Sequence, residues 1–390
     1  MHVNVKRIIK AEVCRNESTA GGIRLYHISK EKKMNIFTCD GSYEADLKEY
    51  TINILTSSGV SSPNAERGIM YTADSGNTVA QKLYADLIYY KKIYRADPYP
   101  EAFGLYLKAS GITIGSDGSW VCSGHSYPHA FRMLGLYLID YKKTDPLRNC
   151  SSIKPIESMT HAGRLNTALL LSCACVDHTG SPEALNLIGR ILRAAADEVD
   201  LYSELLTSVR DNLENHNFEK LSLSLGSMDS PEAWSKASEA CLDKAVECGY
   251  VYACNNKAAH IADLIVTSVE EGSSIEVLKD MVNEYAALLK ASADKYEPYA
   301  ANRLGLLYMT GEIHASDGGC AISHPHINRS MAREYFLKAT KYPDSNSAWA
   351  FYNLIKYFHK DYDNNIELLN EHMDCIKQLN PRVYDLAIEL

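Results

Sequence analysis

Apolar residues recur along most of the chain at the period of an α-helix. Five segments place small or apolar side chains at positions i, i+3, i+4 and i+7, which puts four side chains on one helix face. The five sets are Ala80, Leu83, Tyr84, Leu87; Ala130, Met133, Leu134, Tyr137; Ala258, Ile261, Ala262, Ile265; Ala301, Leu304, Gly305, Tyr308; and Ala348, Phe351, Tyr352, Ile355. After residue 60 no sustained alternation of apolar and polar residues indicates a strand.

A second set of helices carries the same period and lies between the first. Residues 332–339 fit it, and residues 275–289 keep one apolar face over several turns. Gly, Asn, Asp and Ser separate the periodic segments, as expected of short turns. Because short turns join antiparallel neighbours, the pattern predicts an all-α fold of stacked antiparallel helix pairs.

The chain also repeats itself. Leu-Lys-Ala occurs at 107–109, 289–291 and 337–339, with variants at 192–194 and 243–245. The later copies recur about every 50 residues, near the period of helix-pair solenoids. We therefore expect a repeat array over residues 61–390 that is degenerate around 145–230. Residues 1–60 are basic up to Lys33 and are expected to form an N-terminal cap or small basic element, with short strands.

Tyrosine dominates the aromatic residues, with 26 Tyr against 7 Phe and 3 Trp. A tyrosine packs its ring and keeps its hydroxyl in water, so such residues suit both helix interfaces and binding surfaces. The tyrosines crowd the early repeats, and one stretch combines them with lysine. The candidate partner-binding residues are Tyr89, Tyr90, Lys91, Tyr94 and Tyr106.

Two connections, 110–127 and 311–328, are too long for tight helical turns, and both contain Ser-Asp-Gly followed by Cys and His. The second offers Cys320, His324 and His326 as metal ligands, and the first offers Cys122, His125 and His129. A structural zinc clip in each loop is one interpretation. Exposed loops without an ion explain the same residues, and we favour that interpretation because no Cys-x-x-Cys pair is present. We expect no cofactor.

Residues 299–311 (YAANRLGLLYMTG) resemble the first helix of a Sel1-like repeat, a relative of the tetratricopeptide repeat. The junctions 244–253 and 73–80 resemble that family's helix end, glycine turn and next helix. The resemblance covers 61–390 and is strongest over 240–357. It implies an α-α superhelix, or solenoid, whose concave face binds protein or peptide partners. The long loop at 311–328 and the missing glycine after Ala339 depart from the family pattern.

The net charge is −9, from 40 basic and 49 acidic residues, so a nucleic-acid partner is not expected. No segment reaches the roughly 18 apolar residues of a membrane span, so no membrane partner is expected. The N-terminus lacks the apolar core of a signal peptide, and eleven cysteines are scattered along the chain. These features indicate reduced thiols and a cytoplasmic location.

No phosphate-binding glycine loop, metalloprotease helix or nucleophile elbow is present in the sequence. We therefore predict a scaffold or adaptor without enzymatic activity, which binds a protein or peptide. One alternative is a regulatory solenoid that senses a small ligand or signalling peptide. A second is a metal-dependent enzyme built on the two Cys/His loops. The apolar segment 366–379 near the C-terminus suggests a homo-oligomer.

Overall fold

The computed structural model describes residues 8–14, 22–28, 34–36, 63–90, 93–115, 119–122, 127–140, 153–197, 229–316, 318–323, 327–341, 346–363 and 365–390. The chain divides into two compact units, Met1–Ser238 and Glu239–Leu390. Most of the described residues are helical, and helices that follow one another pack as neighbours. This confirms the all-α prediction.

The first unit begins with a three-stranded antiparallel sheet. Its strands are β1 (Ile8–Cys14), β2 (Gly22–Ile28) and β3 (Met34–Ile36), paired in that order. A register shift interrupts the β1–β2 pairing between Ile8 and Ala11. The short strands expected of this segment are therefore present among its described residues, and the N-terminal cap or small basic element over residues 1–60 stays a prediction.

Helices make up most of the other described residues of the first unit. They are α1 (Pro63–Asp74), α2 (Thr78–Tyr89), α3 (Pro98–Ser110), α4 (His129–Ile139), α5 (Lys154–Glu157), α6 (His161–Thr179) and α7 (Pro182–Asp197). Helix α8 (Pro231–Glu247) follows and contains the boundary between the units. The stripes beginning at Ala80 and Ala130 are buried, as the periodicity predicts. Neighbouring helices in this unit therefore pack through the faces that the sequence indicates.

The second unit continues the same plan. Its helices are α9 (Val251–Glu270), α10 (Lys279–Ala293), α11 (Pro298–Thr310), α12 (Arg329–Thr340), α13 (Ser347–Tyr357), α14 (Ile366–Leu379) and α15 (Pro381–Ala387). Contacts at both ends make α12 antiparallel to α13, since Ser347 Oγ donates to the Ala339 carbonyl and Arg329 donates to the Tyr357 carbonyl. Helix α11 is antiparallel to α12 in the same way, so α11 and α13 run parallel.

One glycine sets the distance between α11 and α12. A Cβ atom on Gly305 would lie 2.4 Å from the Phe336 ring, so only glycine allows these helices to approach this closely. Phe336 is fully buried and belongs to an apolar cluster with Ala332, Leu354 and Phe358. Gly305, the small residue of the Leu-Gly motif, thus leaves room for the large Phe336 side chain of the partner helix.

Each of the two long connections contains a β-hairpin. Strands β4 (Ile112–Ile114) and β5 (Trp120–Cys122) pair in the first, and β6 (Glu312–His314) and β7 (Cys320–Ile322) pair in the second. These short strands lie after residue 60, where the sequence shows no sustained alternation of apolar and polar residues. Three-residue strands are too short to show a measurable alternation of apolar and polar positions.

Five junctions between described helices use a left-handed residue to reverse the chain. Four are glycines, with φ of 92° at Gly76, 65° at Gly180, 78° at Gly249 and 97° at Gly272. The fifth is Tyr296, with φ of 61°, just after the end of α10. Its ring lies 4.2 Å from the Lys341 ammonium and 5.5 Å from that of Lys338. Tyr296 thus has a left-handed backbone conformation that glycine adopts without strain.

The apolar helix near the C-terminus is covered only in part within its own unit, and Ile366 is 69% exposed. Ile376 is fully buried, and Leu368, Leu369 and Met373 pack against the same cluster as Phe351. The homo-oligomer suggested by this segment stays a prediction. In the part of the chain that the structure describes, no helix combines the length and the apolar character needed to cross a membrane.

Candidate partner-binding surface

Two of the tyrosines predicted to bind a partner lie in the interior. Tyr106 is 0% exposed, and its hydroxyl donates a 2.8 Å hydrogen bond to Asp86 Oδ1. Asp86 is also buried, and Lys82 Nζ lies 2.6 Å from its other oxygen. Burial, together with the negative charge of Asp86, raises the pKa of Tyr106 well above its ordinary value. Tyr106 therefore packs and pairs inside the first unit and offers no surface to a partner.

Tyr89 is the centre of a buried aromatic cluster. Its ring centroid lies 5.0 Å from that of Tyr90, 5.5 Å from Tyr99 and 5.3 Å from Tyr137, all with edge-to-face geometry. This geometry is favourable for aromatic pairs. The cluster joins the end of α2 to α3 and α4, which explains why Tyr89 faces inward.

The remaining predicted residues are on the surface or outside the described residues. Tyr90 is 45% exposed and Tyr94 is 89% exposed. Lys91 is not among the described residues. Next to Tyr94, Arg95 is held by the Tyr84 hydroxyl and by Glu101. Two exposed tyrosines thus remain of the five residues that the sequence singles out.

The metal prediction falls mostly outside the described residues. His324, His326 and His125 are not described, and Cys320 is an exposed thiol on β7. Within the described ranges, no three His, Cys, Asp or Glu side chains are grouped closely enough to hold a metal ion. The proposed zinc clips therefore remain a prediction.

Several cysteines have environments that disfavour the thiolate. Burial raises the pKa of the Cys241 thiol to about 12, and it also raises the pKa of Cys175, Cys254 and Cys320. The thiolate is the nucleophilic form of cysteine. These four thiols are therefore weak candidates for nucleophilic catalysis, and the three buried ones, Cys175, Cys241 and Cys254, are packing residues.

A different set of aromatic residues is exposed in the second unit. We call α9, α11 and α13 the A helices, because each begins a helix pair. Each carries an aromatic residue in its first turn that reaches the surface: Tyr252 is 55% exposed, Trp349 is 41% exposed, and Tyr299 is partly exposed. The first turn of each of the three successive A helices thus carries an accessible aromatic residue.

Cationic side chains lie beside these aromatic rings. The Arg303 guanidinium is 5.3 Å from the Tyr299 ring centroid, one turn further along α11. On α13, Lys356 Nζ is 5.7 Å from the Tyr352 ring, and Tyr352 is 5.8 Å from Trp349 in an edge-to-face contact. A cation over an aromatic face is weakly attracted by the ring quadrupole, which positions both groups.

These groups lie on one side of the A helices. Asn302 and Asn353 face each other, since Asn353 Nδ2 donates a 2.9 Å bond to Asn302 Oδ1. An α-helix turns about 100° per residue. Viewed along the helix axis, Tyr299 and Arg303 are therefore displaced from Asn302 in one rotational direction. Trp349 and Lys356 are displaced from Asn353 in the opposite rotational direction. Because the two helices run parallel and face each other, those two directions lead to the same side. We call the resulting surface the A-helix face; it comprises Tyr299, Arg303, Trp349, Tyr352 and Lys356.

Buried polar bonds hold the A helices in place beneath this face. Asn255 Nδ2 donates a 2.8 Å bond to Glu297 Oε2, and the same oxygen accepts the Ala300 N–H at the start of α11. Together with the Asn302–Asn353 pair, this bond links α9 to α11 and α11 to α13. Buried side-chain bonds of this kind specify one relative arrangement of helices.

The sequence contained a signal for the A-helix face that the tyrosine count obscured. Tyr252, Tyr299 and Trp349 each stand two or three residues into a helix whose buried stripe is visible in the sequence. These first-turn aromatic residues are recognised by aligning the starts of the helices, and not by counting tyrosines. The early tyrosines are more numerous because several of them pack against one another.

Comparisons with known proteins leave the geometry as the basis for assigning a function. No family model matches the chain, and a search of curated proteins also found no match. The resemblance to Sel1-like repeats therefore rests on the quoted residues and on the packing of helix pairs.

Proposed function

We propose that the chain is a cytoplasmic helical-repeat scaffold that binds a protein or peptide through the A-helix face. In this proposal the helix pairs continue into a Sel1-like superhelix whose A helices line the concave side. Binding is non-covalent and involves no chemistry on the partner. The resemblance of residues 299–311 to a Sel1-like helix and the packed helix pairs support this proposal.

The observation that carries the proposal is the presence of an accessible aromatic residue in the first turn of three A helices. These residues are Tyr252, Tyr299 and Trp349. Trp and Tyr are the residues most enriched at the energetic centres of protein interfaces. Each can bury about 150–250 Å² while few rotatable bonds become fixed.

The A-helix face is also preorganised. The Asn255–Glu297 and Asn302–Asn353 bonds are buried, so the three helices need not rearrange to accept a partner. Preorganisation raises affinity because less conformational freedom is lost on binding. The face therefore suits an extended segment that lies across successive A helices.

A displayed library of random 12-residue peptides tests this proposal without a known partner. Peptides selected on the wild-type protein should bind Trp349→Ala and Tyr299→Ala about tenfold more weakly or worse, because each loses an aromatic contact. Val277→Ala is the control, since Val277 is 79% exposed and lies outside the A-helix face. Circular dichroism should show that all variants remain folded.

Two outcomes would contradict the proposal. One is a library that yields no peptide binding to the folded protein. The other is a set of selected peptides that bind the Tyr299→Ala, Trp349→Ala double variant as tightly as the wild type.

A further inference from the structure

The A-helix face carries two cations that form no ion pair within the described part of the chain. Arg303 contacts the Tyr299 ring, and Lys356 contacts the rings of Tyr352 and Tyr357. Neither cation lies within ion-pair distance of a described carboxylate. Their charges are thus held on a partly exposed aromatic surface without neutralisation.

Some other cations of the same unit are neutralised. Lys257 Nζ lies 2.8 Å from Asp243 and 2.7 Å from Glu284, and Arg333 Nε lies 3.0 Å from Asp361. Arg329 and Lys377, like the two cations of the A-helix face, contact aromatic rings and form no ion pair with a described carboxylate. In a chain with a net charge of −9, carboxylates outnumber cations. Arg303 and Lys356 thus lack a carboxylate partner although carboxylates are in excess.

The sequences of the two helices explain this property. Arg303 is the sole charged residue in α11 and Lys356 the sole charged residue in α13. The carboxylate that precedes α11, Glu297, is buried and accepts hydrogen bonds from Asn255 and from the Ala300 N–H. The charges that these two helices carry are therefore both positive, whereas the net charge of the whole chain is negative.

We propose that the A-helix face binds an acidic, extended peptide segment of a partner protein, with Arg303 and Lys356 each pairing with a carboxylate. This inference rests on the proposed function and specifies the chemistry of the partner. Adjacent packed helices lie about 8–10 Å apart, and an extended chain rises about 3.3 Å per residue. Two carboxylates about three residues apart therefore match the two cations, with apolar or aromatic neighbours against Tyr299 and Trp349.

A single-stranded nucleic acid is the other anionic polymer that combines charge with groups that stack on aromatic rings. Its affinity depends on neutralising many phosphates, commonly six to ten in well-studied duplex complexes. The A-helix face offers two cations on a chain with an excess of carboxylates. Charge thus favours an acidic peptide, and binding of a nucleic acid becomes an outcome of the test.

The same peptide library provides the experiment. Peptides selected on the full chain should be enriched in Asp and Glu, with pairs about three residues apart. Arg303→Gln and Lys356→Gln should each weaken binding of a selected peptide about tenfold, since charge-assisted hydrogen bonds are lost. Lys279→Gln removes the same charge from an exposed residue of α10, and this variant should bind the peptide like the wild type. Raising the salt concentration from about 0.05 M to 0.5 M should weaken wild-type binding through screening.

The outcomes separate this inference from the proposed function. Peptides that depend on Trp349 but show no acidic enrichment, or that bind both Gln variants like the wild type, would overturn the inference and leave the scaffold proposal intact. Failure of the library to yield any binder would overturn both. A fluorescent oligo(dT) probe that binds more tightly than every selected peptide, and loses affinity in both Gln variants, would also overturn the peptide assignment.

Discussion

The segments 98–139 and 298–340 share one layout, but different side chains hold them together. In both, a helix that begins with Pro-Tyr ends at a left-handed glycine, continues into a hairpin and is followed by a second helix. Corresponding residues keep a constant separation of 200 positions (298 minus 98), so Pro98 matches Pro298 and Gly111 matches Gly311. The order of the elements is therefore reproduced faithfully.

The interiors of these two segments differ in chemistry. In the first, Tyr106 extends from α3 to the buried Asp86, and Trp120 of the hairpin lies edge-on to Phe103. In the second, α11 has leucine at the matching position, Leu306, and Gly305 makes room for Phe336. The Tyr106–Asp86 hydrogen bond thus holds α3 in place, whereas the close packing of Gly305 against Phe336 holds α11.

The hairpins differ in the same way. In the second, Ile313 and Ala321 join the core beside α9, and Asp263 accepts a 2.6 Å hydrogen bond from the Ser316 N–H at the turn. In the first, Ile112 is buried but Val121, on the facing strand, is 54% exposed. Identical layout therefore does not require equal burial, and each segment can be perturbed separately.

The largest difference is expected at the helix glycines. Gly305→Ala should destabilise the second unit by about 3 kcal/mol, because its Cβ overlaps the Phe336 ring. Gly104→Ala, in α3, meets nothing within 4 Å and should stabilise the first unit by about 0.5–1 kcal/mol. Urea unfolding monitored by circular dichroism measures both. Equal effects of the two substitutions would show that the helices pack alike.

The glycine that ends α11 should also be sensitive to substitution, by a smaller amount. Gly311 is left-handed, so its backbone conformation alone costs alanine about 1 kcal/mol. The new Cβ would also lie 2.7 Å from the Ser323 carbonyl oxygen, and the loss should reach about 2 kcal/mol. Thermal unfolding compares Gly311→Ala with Gly76→Ala, a left-handed glycine of the first unit whose Cβ would meet nothing within 4 Å. A larger loss for Gly76→Ala would contradict the close approach of Gly311 to the second hairpin.

Removal of the buried hydroxyl tests the first segment. Tyr106→Phe should destabilise it by about 1.5 kcal/mol, because Asp86 loses a donor while staying buried beside Lys82. Tyr94→Phe is the control, because Tyr94 is 89% exposed and its stability effect should be near zero. Denaturant midpoints at pH 7 provide the measurement. No change in Tyr106→Phe would mean that the Asp86 bond contributes nothing to holding α2 and α3 together.

The smallest effect is expected at the turn of the second hairpin. Asp263→Ala removes the acceptor for the Ser316 N–H and hydroxyl and should cost about 1 kcal/mol, since the site is partly exposed. Hydrogen exchange at the Ala315 and Ser316 amides should become faster. Thr113→Ala in the first hairpin removes a long, exposed 3.4 Å bond and should leave exchange there unchanged. Unaltered exchange in Asp263→Ala would show that apolar packing alone holds the hairpin.

The sequence was sufficient for the helices because burial and helical period are both local signals. The stripes at Ala80, Ala130 and Ala258 are buried as predicted, and α14 spans the predicted Ile366–Leu379. It was insufficient for the hairpins, since three-residue strands carry almost no periodicity. It was also insufficient to separate Tyr106 from Tyr94, because one pairs with a carboxylate twenty residues away and the other with solvent.

The left-handed tyrosine at the end of α10 has a mechanical consequence. Gly249 and Gly272 can change their backbone angles cheaply, whereas Tyr296 can relax only by pulling its ring away from the lysines at the end of α12. If the helices of this unit shift when a partner docks, bending should be concentrated at the two glycines. Helices α10 to α12 would then move together as one rigid body, and the backbone would bend at the glycines.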